Sequence, residues 1–202
     1  MTTPRTEQSR HRPLPQPPAG VHRLQIHVTG GSGCGPTRLA AFDAALRDAG
    51  VANYNVIRLS SVIPPYSLVT ATSAPLSPKG RWGDRLYASV AEAVADVPGA
   101  EAWAGIGWVQ DGETGQGLLA EHGGQSETQV RSDLEVTLES LRRGRGPVGE
   151  RLGDVHMVTR GVRCTGDPVC SLVLAAFTTE AWAPVPSPSA GPPPARFGPT
   201  SG

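Results

Sequence analysis

Proline placement constrains this chain more than any other feature. Of 20 prolines in 202 residues, twelve lie in residues 1–20 and 183–202. Proline lacks an N–H and holds φ near one value, so runs of it cannot enter a helix interior or a central strand. Both ends are also poor in apolar residues and biased to Ser and Gly, which predicts disordered tails at 1–20 and 183–202. The folded unit is then a single domain over 21–182, long enough to bury a core.

Charge and hydropathy exclude several partner classes for that unit. Once the tails are set aside, 14 basic residues face 17 acidic ones. No basic face of the kind that neutralises phosphates is implied, so no nucleic acid is expected. The longest apolar run, about Leu172–Phe177, is far short of the roughly 18 residues of a membrane span, so no membrane association is expected. Residues 1–20 have no apolar h-region and do not read as a secretory signal. Cys34, Cys164 and Cys170 are an odd set without zinc-site spacing. They read as reduced structural thiols in a cytoplasmic protein.

Periodicity supplies the elements. Leu24, Ile26 and Val28 alternate with polar residues, predicting a strand over Val21–Thr29. Gly30–Pro36 reads as a flexible glycine turn. A helix follows from Pro36 or Thr37, with Leu39, Phe42, Leu46 and Ala49 on one face and Gly50 beyond its C-terminus. Asn55–Ser61 is a short strand that Pro64-Pro65 ends. Leu86–Val94 and Glu101–Val109 alternate as strands, and Gly117–His122 is the return strand after the hairpin-like loop Asp111–Gly115. Ser126-x-x-Gln129 is a capping box that opens a helix striped by Val130, Leu134, Leu138 and Leu141. Gly144–Gly149 reads as a loop, and Val155–Val162 and Val169–Phe177 as the last strands. Two helices among six or seven strands, joined by short loops and so antiparallel, define an α+β sandwich.

Common catalytic signatures are missing. Gly31-x-Gly33-x-Gly35 is not a dinucleotide fingerprint, and no acid ends the strand that carries Arg58-Leu59-Ser60. His22, His27, His122 and His156 are scattered, without an i,i+4 pair, so no metal site is expected. No serine stands in a G-x-S-x-G elbow. The segment that remains is Asn53-Tyr54-Asn55-Val56-Ile57-Arg58-Leu59-Ser60-Ser61-Val62-Ile63-Pro64-Pro65. Adjacent serines end a strand before a rigid corner. If the backbone is bent there, the Ser61 hydroxyl can attack the Ser60 carbonyl and replace the amide by an ester. β-Elimination then splits the chain and leaves a pyruvoyl group at residue 61.

Three blocks carrying this segment resemble the pyruvoyl-dependent arginine decarboxylases. They are Thr37-x-Leu39-x-Ala41-Phe42-Asp43-x-Ala45-Leu46-x-x-Ala49-Gly50, then Asn53 to Pro65, then Pro98-Gly99 with Ala104-Gly105-Ile106-Gly107-Trp108 and Gly117-Leu118-Leu119-Ala120-Glu121. The resemblance covers Val28 to Arg143 and extends loosely to Trp182. It implies a four-layer α-β-β-α sandwich, assembled as a homo-oligomer, a trimer or a multiple of one. It implies decarboxylation of arginine to agmatine, a step of polyamine metabolism, with a covalent pyruvoyl cofactor derived from Ser61 and no metal.

The same resemblance assigns residue roles. Cleavage falls between Ser60 and Ser61. Asn55 supports processing and catalysis, Glu121 donates a proton, and Asp43 binds the substrate guanidinium. These residue types suit the roles. A carboxylate matches the planar fork of a guanidinium, and burial of a carboxyl favours its proton-carrying form. Asn55 and Ser61 are six residues apart on an extended segment, about 20 Å at roughly 3.3 Å per residue. Asn55 and Asp43 are therefore expected to serve the pyruvoyl group of a neighbouring subunit. Three alternatives remain open from the residues: the same chemistry on another amino acid, a nucleotide-binding module built on Gly30–Gly35, and a family member that no longer processes itself.

Overall fold

The computed structural model describes residues 16–182. The tail residues 1–15 and 183–202 lie outside the described residues. Gln16–Gly20, expected in the N-terminal tail, include a turn in which the Val21 amide donates to the Pro18 carbonyl at 3.0 Å.

Nine strands and three helices make up the described residues: β1 (Gln25–Cys34), α1 (Arg38–Asp48), β2 (Asn55–Arg58), β3 (Val62–Ile63), β4 (Leu68–Ala71), β5 (Arg85–Ala95), β6 (Glu101–Gln110), β7 (Gly117–Gly124), α2 (Glu127–Arg143), α3 (Pro147–Glu150), β8 (His156–Arg163) and β9 (Val169–Glu180). A five-stranded sheet has the order β2-β5-β9-β1-β4, and a four-stranded sheet the order β3-β7-β6-β8. The fold is α+β, as expected. The pairs β1/β4 and β2/β5 are parallel, against the expected all-antiparallel arrangement, because neither is joined by a hairpin loop: α1, β2 and β3 lie between β1 and β4, and β3 and β4 between β2 and β5; the remaining pairs are antiparallel.

Strand alternation builds the layers. Along β5, Leu86, Ala88 and Val90 pack with Ala41, Ala45, Leu46 and Ala49 of α1, which covers the outer face of the five-stranded sheet. Tyr87 and Ala91 turn the other way, into a layer shared with Ile106, Trp108 and Leu119 of the second sheet. Leu118 and Ala120 of β7 face outward again, under Val130, Leu134 and Leu138 of α2. The order is therefore helix, sheet, sheet, helix.

The glycine segment departs from its expected form. Gly30–Cys34 is the second half of β1, paired with β9 from Gly30↔Val173 to Cys34↔Val169. The glycines serve close packing rather than a turn. A Cβ on Gly31 would overlap the Ala45 carbonyl oxygen, and one on Gly33 would overlap the Ala45 amide nitrogen. Helix α1 thus lies directly on bare strand backbone. Its buried side is the small-residue row Ala41, Ala45 and Ala49 with Leu46, while Leu39 is 76% exposed. An open phosphate-cradling loop, on which the nucleotide alternative relied, is not formed there.

Smaller departures have local causes. β4 arises from Leu68–Ala71 by pairing with β1, a non-local contact that its four residues do not advertise. Part of the expected Gly144–Gly149 loop is the one-turn helix α3, whose Pro147 occupies a first-turn position where a missing N–H costs nothing. Both capped helices begin where the residues indicated. Thr37 accepts from the Ala40 amide at 3.1 Å, and Ser126 from that of Gln129 at 3.2 Å. The cysteines are free. Burial, reinforced by nearby Glu92, pushes the Cys170 thiol up to about 11.

Candidate active site

Ser60 and Ser61 form the crossover from β2, on the edge of one sheet, to β3, on the edge of the other. The chain leaves the edge of the first sheet at Arg58 and joins the edge of the second at Val62. The upstream side is fastened to β5: the Leu59 amide donates to the Ala88 carbonyl at 3.0 Å. The Arg58 guanidinium donates to the Val90 carbonyl at 3.1 Å and to the Glu92 carboxylate at 2.5 Å. The downstream side is fastened to β7, where the Leu119 amide donates to the Ser61 carbonyl at 2.9 Å and Val62 pairs with Leu118.

A chain moored to two sheets within three residues must turn sharply. Ser61 makes the turn at φ 64°. A left-handed backbone costs an L-residue roughly 1–2 kcal/mol relative to the right-handed form. The surrounding pairing holds Ser61 there. Tyr66, just beyond Pro64-Pro65, has φ 62° and its amide donates to the Thr114 carbonyl at 2.7 Å. The corner that the sequence placed at the two prolines is thus a pair of left-handed residues bracketing β3 and Pro64-Pro65.

Glu121 meets the serine directly. The Ser61 hydroxyl donates to Glu121 Oε1. Strand alternation explains the aim. Leu119 faces the layer between the sheets, and Glu121, two residues on, shares that face. It sits opposite Ile106 of β6 and is half-buried. Two of the expected site residues, 60 positions apart in sequence, thereby meet within one chain.

 The pairing of β3 with β7 is what brings Ser61 and Glu121 into contact.

Asn55 and Asp43 stand on the other sheet's side. Asn55 opens β2, and its side-chain amide donates to the Gly83 carbonyl at 2.5 Å. Asp43 lies on α1, exposed, and accepts from Arg47 Nε at 3.2 Å. Within this chain, the hydrogen bonds of both residues are made away from the crossover. Arg58 has a structural part at the site that sequence reasoning did not give it. Its two contacts lie on β5, more than thirty residues away, and only the parallel β2/β5 register brings them within reach.

Residues 25–181 match the family described as pyruvoyl-dependent arginine decarboxylase. Proteins of that description include one from Halobacterium salinarum, 43% identical over 95 residues, which span 45% of this chain and 56% of the relative. One from Thermoplasma volcanium is 33% identical over 112 residues, 55% of this chain and 61% of the relative. One from Methanopyrus kandleri is 32% identical over 133 residues, 65% of this chain and 81% of the relative. The chain thus spans somewhat over half the length of the first two. The fold and the crossover site define an α+β sandwich with a serine pair between its sheets. The chain belongs to the pyruvoyl-dependent arginine decarboxylase family.

Proposed function

We propose that this chain is a self-processing decarboxylase that converts L-arginine to agmatine and carbon dioxide. One observation carries the reading: Ser61, held at φ 64° on the crossover, bonds to Glu121. In maturation the Ser61 hydroxyl adds to the Ser60 carbonyl carbon, and the amide becomes an ester. Loss of the Ser61 α-proton expels Ser60 as a carboxylate. Hydrolysis of the resulting dehydroalanine releases ammonia and leaves the pyruvoyl group on residue 61.

The residues present suit that group. The carboxylate of Glu121 can take the proton from the attacking hydroxyl, since it already accepts from it. The pyruvoyl group supplies the electron sink for loss of CO₂. Glu121 then returns a proton to the substrate carbon. Asp43 binds the substrate guanidinium, and its present partner, Arg47, offers it a group of the same chemistry. Asn55 supports processing and orients the substrate at the crossover of a neighbouring subunit. A trimer, or a multiple of one, in the cytoplasm accounts for this division. β2 belongs to one sheet and Ser61 pairs through the other, which supports the separation.

The test is carbon dioxide release from arginine, compared with lysine, histidine and aspartate, by the purified chain. Release from arginine alone supports the reading. Release from one of the others assigns the same chemistry to that amino acid. A chain that stays whole and releases none from any of the four is a member that no longer processes itself.

A further inference from the structure

Maturation leaves Glu121 without its partner. The bond from Ser61 is the one side-chain hydrogen bond that Glu121 makes among the described residues. In the proposed processing, the Ser61 oxygen departs within the new carboxylate of Ser60. The carboxyl that must then deliver a proton has lost the group that oriented it.

A replacement donor is already in the layer. Ser89 is fully buried, and its hydroxyl has no hydrogen-bond partner. Buried polar groups are nearly always paired, so an orphan hydroxyl calls for an explanation. Its direction follows from alternation along β5. Ala88 and Val90 pack under α1, whereas Tyr87 and Ala91 face the second sheet, so Ser89 faces the second sheet too. Leu119 and Glu121 look into the same layer from β7. The two strands come close there, since a Cβ on Gly123 would overlap the Glu92 carbonyl oxygen. The crossover is fastened beside Ser89, through the Leu59 amide on Ala88 and Arg58 on Val90.

Resting on the proposed processing, we infer that Ser89 is a positioning residue for Glu121. Its hydroxyl is idle in the uncut chain and becomes the carboxyl's hydrogen-bond donor once the Ser61 oxygen has gone. Cleavage thus exchanges one serine partner of Glu121 for another.

The test compares Ser89→Ala, Ser89→Thr and the double variant Ser89→Ala/Glu121→Gln with the parent. Ser89→Ala should be cut as the parent is and keep its KM for arginine. Its kcat should fall roughly tenfold, the lower end for a hydrogen bond to a charged group. Ser89→Thr, which keeps the hydroxyl, should recover most of that loss. In the Glu121→Gln background the Ala substitution should cost nothing further. In the uncut Ser61→Ala background, Ser89→Ala should melt no lower than its parent, since an unpaired hydroxyl stabilises nothing. A cut Ser89→Ala chain with parental kcat overturns the inference, as does an equal loss in the Glu121→Gln background. An uncut wild-type chain is a different failure: it removes the processing reading, and the inference with it.

Discussion

In the proposed reaction, Glu121 and Asp43 divide the chemistry between proton delivery and recognition. Glu121→Gln keeps the volume of the side chain but cannot donate a proton as an acid. This variant should bind arginine and turn over roughly 10²–10⁴ times more slowly, the usual size of a general acid–base contribution. Steady-state kinetics on the cut fraction check it, and wild-type turnover would remove Glu121 from the site. Asp43→Asn removes the charge proposed to face the guanidinium. The loss is about 2–5 kcal/mol for one partner of a desolvated pair, or a KM raised roughly 30-fold or more. Cleavage should be preserved, and an unchanged KM would return Asp43 to its pairing with Arg47 on the surface. The sequence singles out both residues through the blocks that contain them. It does not show the left-handed Ser61 or the Arg58 clamp, because both depend on pairing with strands thirty to sixty residues further on.

Elements show where local pattern was sufficient and where it was not. The two long helices, their caps, and strands β5 to β9 follow from local pattern: α2 buries one regular apolar stripe, whereas β6 and β9 are apolar runs buried on both faces, and α1 turns its alanines rather than Leu39 inward. Gly30–Cys34 misled because glycine is the usual mark of a turn, whereas here it admits α1 to the strand backbone. Gly33→Ala should therefore be overpacked against helix backbone and cost about 1–3 kcal/mol or more, read as a lower melting temperature. Unchanged melting would show that α1 can lift away from β1. The β6–β7 hairpin depends on Asp111, which is buried. Burial by itself raises its carboxyl, but the Glu113 and Thr114 amides and Arg151 outweigh that and hold it below the ordinary range. A depressed folded value means stabilisation that is full above the unfolded value of about 3.9 and is lost as pH falls through the folded one. Asp111→Asn should lose stability at neutral pH, and its deficit relative to the parent should shrink below about pH 4. A deficit that does not change with pH would show that the charge is not what Asp111 contributes.

The described residues form two packed sheets, and the serine pair is one of the links between them. The layers were expected from the family resemblance, and alternation along β5 and β7 shows why they form. A site shared between copies predicts complementation. Co-expressed Asn55→Ala and Glu121→Gln chains should regain part of the turnover that each lacks alone, because some contacts between unlike copies hold both native residues. No gain in verified mixed oligomers would place the site within one chain.

The intact mass of the purified protein tests the central claim most directly. Cleavage at Ser60–Ser61 predicts fragments of 60 and 142 residues. The larger should resist Edman degradation, since it begins with a ketone rather than an amine, and Ser61→Ala should give one uncut, inactive chain. A single wild-type species of 21.0 kDa that still decarboxylates arginine would contradict the account.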